Sequence, residues 1–173
     1  MTDADAAAFA DVLAANRRYA ATFDLAGLPA GAATGLAIVT CMDSRIEPLD
    51  MLGLKPGDAK ILRNAGARVT PDVLRTLVLA THLLNVRRVM VVAHTECKMA
   101  SASQDEIEAL IAERTGIDAR SLEFRLITDQ RATLERDVQA VRSWPFLPAG
   151  VPVAGFIYDV ATGRLEPVAE GTT

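Results

Sequence analysis

Cysteine is nearly absent from this chain, with two in 173 residues, and histidine is equally scarce. A chain of this length buries a sizeable core without a covalent staple, so a disulfide framework is not needed. Aromatic residues make up only 5%, with a single tryptophan, which leaves an aliphatic core in which alanine is abundant. No basic stripe is present. Lys and Arg number 18 against 22 Asp and Glu, the net charge is −4, and the arginines are scattered, which argues against a nucleic-acid surface. No apolar run reaches the ~20 residues of a membrane-spanning helix. The start, Met1-Thr2-Asp3-Ala4-Asp5, is acidic and lacks the basic opening of a secretory signal. A soluble, cytoplasmic protein is the expectation. Internal repeats and low-complexity segments are also missing.

The remainder is a globular pattern, 50% apolar and 23% charged. Residues 4–18 read as a helix with Phe9, Val12 and Leu13 on one face and Asp3 or Asp5 as cap. Residues 24–35, rich in Gly, Pro and Ala, read as a connector or arm. A β-branched apolar run at 36–40 predicts a buried strand ending at Cys41. A short helix over 46–52, stopped by Gly53 or by Pro56-Gly57, and a strand over 59–63 follow. Thr70 as cap and Pro71 in the first turn open a helix carrying Val73, Leu74, Leu77, Val78 and Leu84. Val89-Met90-Val91-Val92 forms the best buried strand, ending at His94. Ser103 and Glu106 fit a capping box for a helix to Arg114, stopped by Gly116. A helix over 129–142 and a strand over 153–158, with a turn over 159–163 after it, complete the chain.

Strands alternating with helices predict an α/β fold with a largely parallel central sheet flanked by helices. The whole chain, 1–173, reads as a single domain. The helix and arm over 1–35 have no obvious place on one small sheet, and they are expected to pack on a partner subunit. Ligands of such sheets bind beyond the carboxyl ends of strands. Cys41 and His94 both fall at such ends, on different strands.

Thiolate and imidazole are good zinc ligands. His94-Thr95-Glu96-Cys97 puts two of them in one turn, and Cys41 closes the site if the two strands lie side by side. The plainer reading is two buried thiols and one satisfied histidine. Asp43 follows Cys41 by two residues. Its carboxylate can fill the fourth metal position itself, or accept a hydrogen bond from a metal-bound water and orient it. Arg45 is its natural bidentate partner and would draw it off the metal. Taken alone, the pair reads better as a helix-capping Asp43 and a solvent-facing Arg45. Two thiolates cancel the charge of Zn²⁺, so bound water is acidified less than in an all-histidine site. Activity is therefore expected to improve toward alkaline pH. His82, inside a helix, reads as structural. Gly66 reads as a pocket wall or a turn glycine. Arg63 and Arg68 either steer an anion or solvate the rim.

Three stretches, Cys41-Met42-Asp43-Ser44-Arg45, Arg63-Asn64-Ala65-Gly66 and His94-Thr95-Glu96-Cys97, together resemble the beta-class carbonic anhydrase family in order and spacing, most like its short bacterial members. Gly155-Phe156-Ile157-Tyr158-Asp159 extends the likeness toward the C-terminus. The resemblance implies one zinc ion per subunit on Cys41, His94 and Cys97, with Asp43 as an alternative fourth ligand and Asp43–Arg45 gating that position. It implies attack of zinc-bound hydroxide on carbon dioxide to give bicarbonate and a proton, and a homodimer or higher homo-oligomer. Alternatives sharing such a site are carbonyl sulfide or carbon disulfide hydrolysis, and a catalytically weak bicarbonate-sensing domain. Lys98 stands where the family usually has glycine, so a backbone cost is expected if that position needs positive φ.

Overall fold

The computed structural model describes residues 2–168, with the side chains of residues 3 and 4 left aside. Eleven labelled elements follow in chain order. They are α1 (Asp3–Ala8), α2 (Ala10–Ala21), β1 (Leu36–Cys41), β2 (Ala59–Asn64), α3 (Pro71–Leu83), β3 (Arg88–His94), α4 (Lys98–Ser101), α5 (Gln104–Thr115), α6 (Gln130–Arg142), β4 (Val153–Tyr158) and β5 (Leu165–Pro167).

The sheet runs β2-β1-β3-β4-β5, parallel except for the antiparallel β4–β5 pair. The chain leaves β1 for β2 on one side, then returns through α3 to place β3 on the other. The order therefore reverses between β1 and β3, and the crevice at their carboxyl ends is the switch point where ligands of such sheets sit.

Period-two alternation divides the strands between two cores. Ala37 and Val39 of β1, with Val89, Val91 and Ala93 of β3, face α3 and α6, which contribute Val73, Leu74, Leu77, Leu134, Val138 and Val141. Leu36, Ile38 and Val92 face the opposite way, toward Met51, Leu54 and Phe156. All six residues of β1 are buried, as a central parallel strand requires. A Cβ on Gly155 of β4 would lie 3.1 Å from Leu134 Cγ and 3.1 Å from Val138 Cγ2, so this glycine lets α6 approach the sheet closely.

Most expected elements are in place, and their caps with them. Thr70 accepts from Val73 N at the start of α3, and Ser103 and Glu106 close a reciprocal box on α5. Four expectations need correcting. The N-terminal helix is two helices, broken at Phe9, and extends to Ala21. Its cap is Thr2, with Asp5 returning the bond from the third helical position; the expected alternative, the Asp3 side chain, lies outside the described residues. The short helix expected over 46–52 shrinks to one 3₁₀ turn, Asp50–Leu52, because Pro48 lacks an N–H and biases Glu47 away from helix. β5 was not expected. Three residues ending in proline are too short to show alternation, and proline suits a strand at the sheet's edge.

Candidate metal centre

The carboxyl ends of the neighbouring strands β1 and β3 carry Cys41 and His94, and the turn after β3 brings back Cys97. The two sulfurs and one imidazole nitrogen all lie within 4.8 Å of one another. All three residues are buried, at 4%, 1% and 4% exposure. The turn closes because Glu96 adopts a left-handed backbone, φ 57°, after which Cys97 caps α4.

His94 shows what the cluster is built to hold. Its Nδ1 lies 2.8 Å from the Thr95 carbonyl oxygen. A carbonyl only accepts, so Nδ1 carries the proton and donates, which leaves the Nε2 lone pair free. Nε2 is buried and makes no hydrogen bond among the described residues. A buried polar nitrogen without a partner is costly, and a cation shared with the two sulfurs would satisfy it. Two thiolates and a neutral imidazole are a zinc donor set with one position left over. Gln130, the first residue of α6, donates from Nε2 to the His94 carbonyl at 2.7 Å and so fixes the strand end from the other side.

The sulfurs differ in acidity. Burial pushes the Cys41 thiol up, but the facing His94 ring and the N–H groups of Gly66 and Asp43 outweigh it and bring the pKa down to about 7. Burial pushes the Cys97 thiol up, and the neighbouring Cys41 sulfur adds to the shift against the N–H groups of Met99 and Ala100. For His94, burial lowers the pKa, yet the interaction with Cys41 and the Thr95 carbonyl leave it raised. Ile46 and Ala67 pack around the sulfurs, with Met51, Met99 and Tyr158 behind them. This apolar shell lowers the local dielectric and strengthens charge interactions at the centre.

Asp43 sits beside the cluster rather than in it. Arg45 holds its carboxylate side-on: Nε donates to Oδ1 at 3.0 Å and Nη2 to Oδ2 at 2.9 Å, with the Arg45 backbone N–H on Oδ1 at 2.9 Å. Oδ2 remains 3.9 Å from His94 Nε2. The guanidinium and backbone N–H of Arg45 hold the Asp43 carboxyl well below the usual carboxylate range. The structure thus gathers three of the four residues read as ligands and leaves the fourth at their margin, bound to its arginine.

The other residues singled out in the sequence have local explanations. Gly66, φ 79°, donates its N–H to Cys41 Sγ at 3.4 Å, and a Cβ there would lie 3.2 Å from Ile127 Cδ1 and 3.3 Å from Met99 Cβ. Arg63 donates to the carbonyls of Cys41 at 2.9 Å and Asp43 at 2.6 Å, clamping the loop that carries both. Arg68 lies in the same cavity wall as Arg63 and pairs with Asp137 of α6 at 2.7 Å. His82 Nε2 lies 3.0 Å from the Phe146 carbonyl, in the last turn of α3. Lys98 has no positive φ and simply opens α4, so the backbone cost expected there falls on Glu96 instead. Gln130 and the Glu96 side chain, 2.7 Å from Arg45 Nη1, were not read as site residues. Only spatial neighbourhood reveals them.

A family model described as carbonic anhydrase matches residues 36–165, which includes every residue of the cluster. Beta-carbonic anhydrase 1 of Mycobacterium tuberculosis (strain ATCC 25618 / H37Rv) is 35% identical over 158 residues, covering 91% of this chain and 96% of that protein. A carbon disulfide hydrolase of Acidithiobacillus thiooxidans is 31% identical over 152 residues, 76% of each chain. The crystal structure of a carbonic anhydrase from Streptococcus mutans superposes with a TM-score of 0.87 at 37% identity, over 93% of this chain and 97% of that one. With its buried Cys41–His94–Cys97 cluster at the switch point of a mostly parallel sheet, this chain belongs to the beta-class carbonic anhydrases.

Proposed function

We propose that this chain catalyses the reversible hydration of carbon dioxide, with one zinc ion per subunit held by Cys41, His94 and Cys97. The observation that carries the proposal is the orphaned His94 Nε2 between two buried sulfurs, with an arginine-bound carboxylate beside them. Zinc in such a site supplies a Lewis acid that lowers the pKa of water at its open position. The protein's part is positional. Arg45 holds Asp43 at the edge of the cluster, leaving the fourth position to solvent. Asp43, kept ionised by Arg45, would accept a hydrogen bond from a water beside the cluster and orient it toward the substrate carbon. Ile46, Ala67 and Met99 keep the surroundings apolar, which suits a linear uncharged substrate.

The decisive experiment measures carbon dioxide hydration over a pH series, with zinc stoichiometry on the same sample. Two thiolate ligands offset the metal's charge, so the rate should climb into the alkaline range. Zinc-loaded protein without hydration above buffer would overturn the proposal. A second reading, hydrolysis of carbon disulfide or carbonyl sulfide, draws on the likeness to the Acidithiobacillus thiooxidans enzyme. Sulfide release measured against carbon dioxide hydration separates the two.

The proposal extends to assembly and location. The chain acts as a single zinc-binding domain in a homodimer or larger homo-oligomer, its N-terminal segment packed on a partner subunit. In support, α2 buries none of its residues, and Phe9, Val12, Leu13, Tyr19 and Phe23 are exposed. No helix among the described residues is long and apolar enough to cross a membrane. The two cysteines are free thiols, which suits the reducing cytoplasm as the place of action.

A further inference from the structure

Arg45 has two acidic partners, and they occupy different parts of its guanidinium. Nε and Nη2 face Asp43, while Nη1 donates to Glu96 Oε2 at 2.7 Å. The Glu96 carbonyl oxygen also lies 3.5 Å from Nη2. The two carboxylates therefore do not compete for the same N–H groups. Glu96 belongs to the turn after β3, and Arg45 to the loop after β1, 51 residues away in sequence. Their contact joins the loop bearing Cys41 to the turn bearing Cys97.

The backbone of that turn is arranged accordingly. Glu96 holds φ 57°, a left-handed conformation that glycine, asparagine and aspartate adopt more readily than glutamate. Returning the chain toward His94 requires the turn, and a glycine would make it with less strain. What a glycine would lack is the carboxylate that meets Arg45. Strained residues persist where the surroundings over-determine them, often beside functional groups.

We propose that Glu96 is a positioning residue for the Arg45–Asp43 pair. It anchors the guanidinium by Nη1 so that the opposite edge holds Asp43 off the metal position. This rests on the reading, given above, that Asp43 and Arg45 govern the fourth position. Side-chain exposures of 67% for Glu96 and 44% for Arg45 make the pair a surface ion pair, whose loss costs the fold little. The consequence of removing it is orientational. An arginine held only by Asp43 and the long contact to the Glu96 carbonyl samples more rotamers, and the carboxylate it holds is released more often toward the cluster.

The test uses Glu96→Ala and Glu96→Gln, with Arg45→Ala as reference. The first readout is independent of turnover: solvent exchange of the Arg45 Nε–H in the metal-free protein, followed by nitrogen-resolved NMR. Glu96→Ala should speed exchange roughly two- to five-fold, the range expected for losing one exposed ion pair. Glu96→Gln, which keeps an acceptor at the same reach, should restore part of the protection. The second readout is carbon dioxide hydration by zinc-loaded protein, in which kcat should fall by a similar factor for Glu96→Ala, with zinc content unchanged. Unaltered Nε–H exchange in Glu96→Ala would overturn the anchoring role, whatever the activity. Faster exchange with unchanged kcat would overturn its effect on catalysis. Full activity in Arg45→Ala would instead remove the gating reading beneath the proposal. Loss of activity in Arg45→Ala, with exchange and kcat unaltered in Glu96→Ala, would overturn the Glu96 proposal alone.

Discussion

Two thiols within 4.8 Å of each other, yet shifted oppositely in acidity, set the chemistry of zinc loading. Cys41 is brought down to about 7, whereas Cys97 is pushed up. At about pH 8 the first is largely ionised and the second still carries its proton, so zinc uptake should release about one proton. As pH falls below about 7, Cys41 takes up its proton, release should rise to about two, and zinc affinity should weaken. His94, whose pKa is also raised, adds to this release wherever its ring is protonated. Calorimetry of the metal-free protein in buffers of different ionisation enthalpy counts these protons directly. At the same scale, Asp43→Ala should keep zinc, since Arg45 holds that carboxylate apart from the three ligands. Its turnover should fall by about 10²-fold or more, the usual cost of losing a positioned proton acceptor. Cys41→Ala, His94→Ala and Cys97→Ala should lose the metal itself, as mass spectrometry of purified protein would show.

Elements deliver these residues through ordinary packing. β1 and β3 end side by side because α3 carries the chain back across the sheet, and the Thr70 cap with Pro71 starts that helix at the right place. α6 bears on the opposite end of the turn through Gln130, and its fit depends on Gly155. Gly155→Ala would force Leu134 and Val138 to give way, at a cost of about 1–3 kcal/mol. Urea unfolding of the zinc-free protein measures that cost, and a midpoint unchanged from wild type would show that α6 moves aside freely. A buried pair reinforces the same helix. Arg68 and Asp137, with side-chain exposures of 16% and 9%, join the turn after β2 to α6.

Among the described residues, α2 is left largely uncovered. Its polar and apolar residues alike are exposed or half-buried, with Phe9, Val12, Leu13 and Tyr19 exposed and Tyr19 meeting only the exposed Phe23 edge-on. An exposed apolar group of this kind marks an interaction surface more often than a free one. Deleting residues 1–24 should therefore shift the protein to a smaller oligomer, as light scattering or sedimentation would show. An unchanged mass would remove the packing role assigned to this segment.

What the sequence by itself determined is the set of candidate ligands and the strands that end in them. Apolar β-branched runs stopping at Cys41 and His94 are local signals, legible because a buried parallel strand needs continuous hydrophobic residues. Caps at Thr70 and Ser103 were legible for the same reason, since each is settled within four residues. The pairing of Asp43 with Arg45, two residues apart, was legible too. Only the tertiary structure decided how the rest of the site is held: Arg45 shared with Glu96, His94 fixed by Gln130, and Arg63 spent on two carbonyls. Most of these contacts join residues far apart in the chain, through register and helix placement rather than composition. β5 and the break at Phe9 went unread because three residues or a single torsion leave no periodic trace. Local chemistry chose the donors, and the crossing of the chain over its own sheet decided what stands beside them.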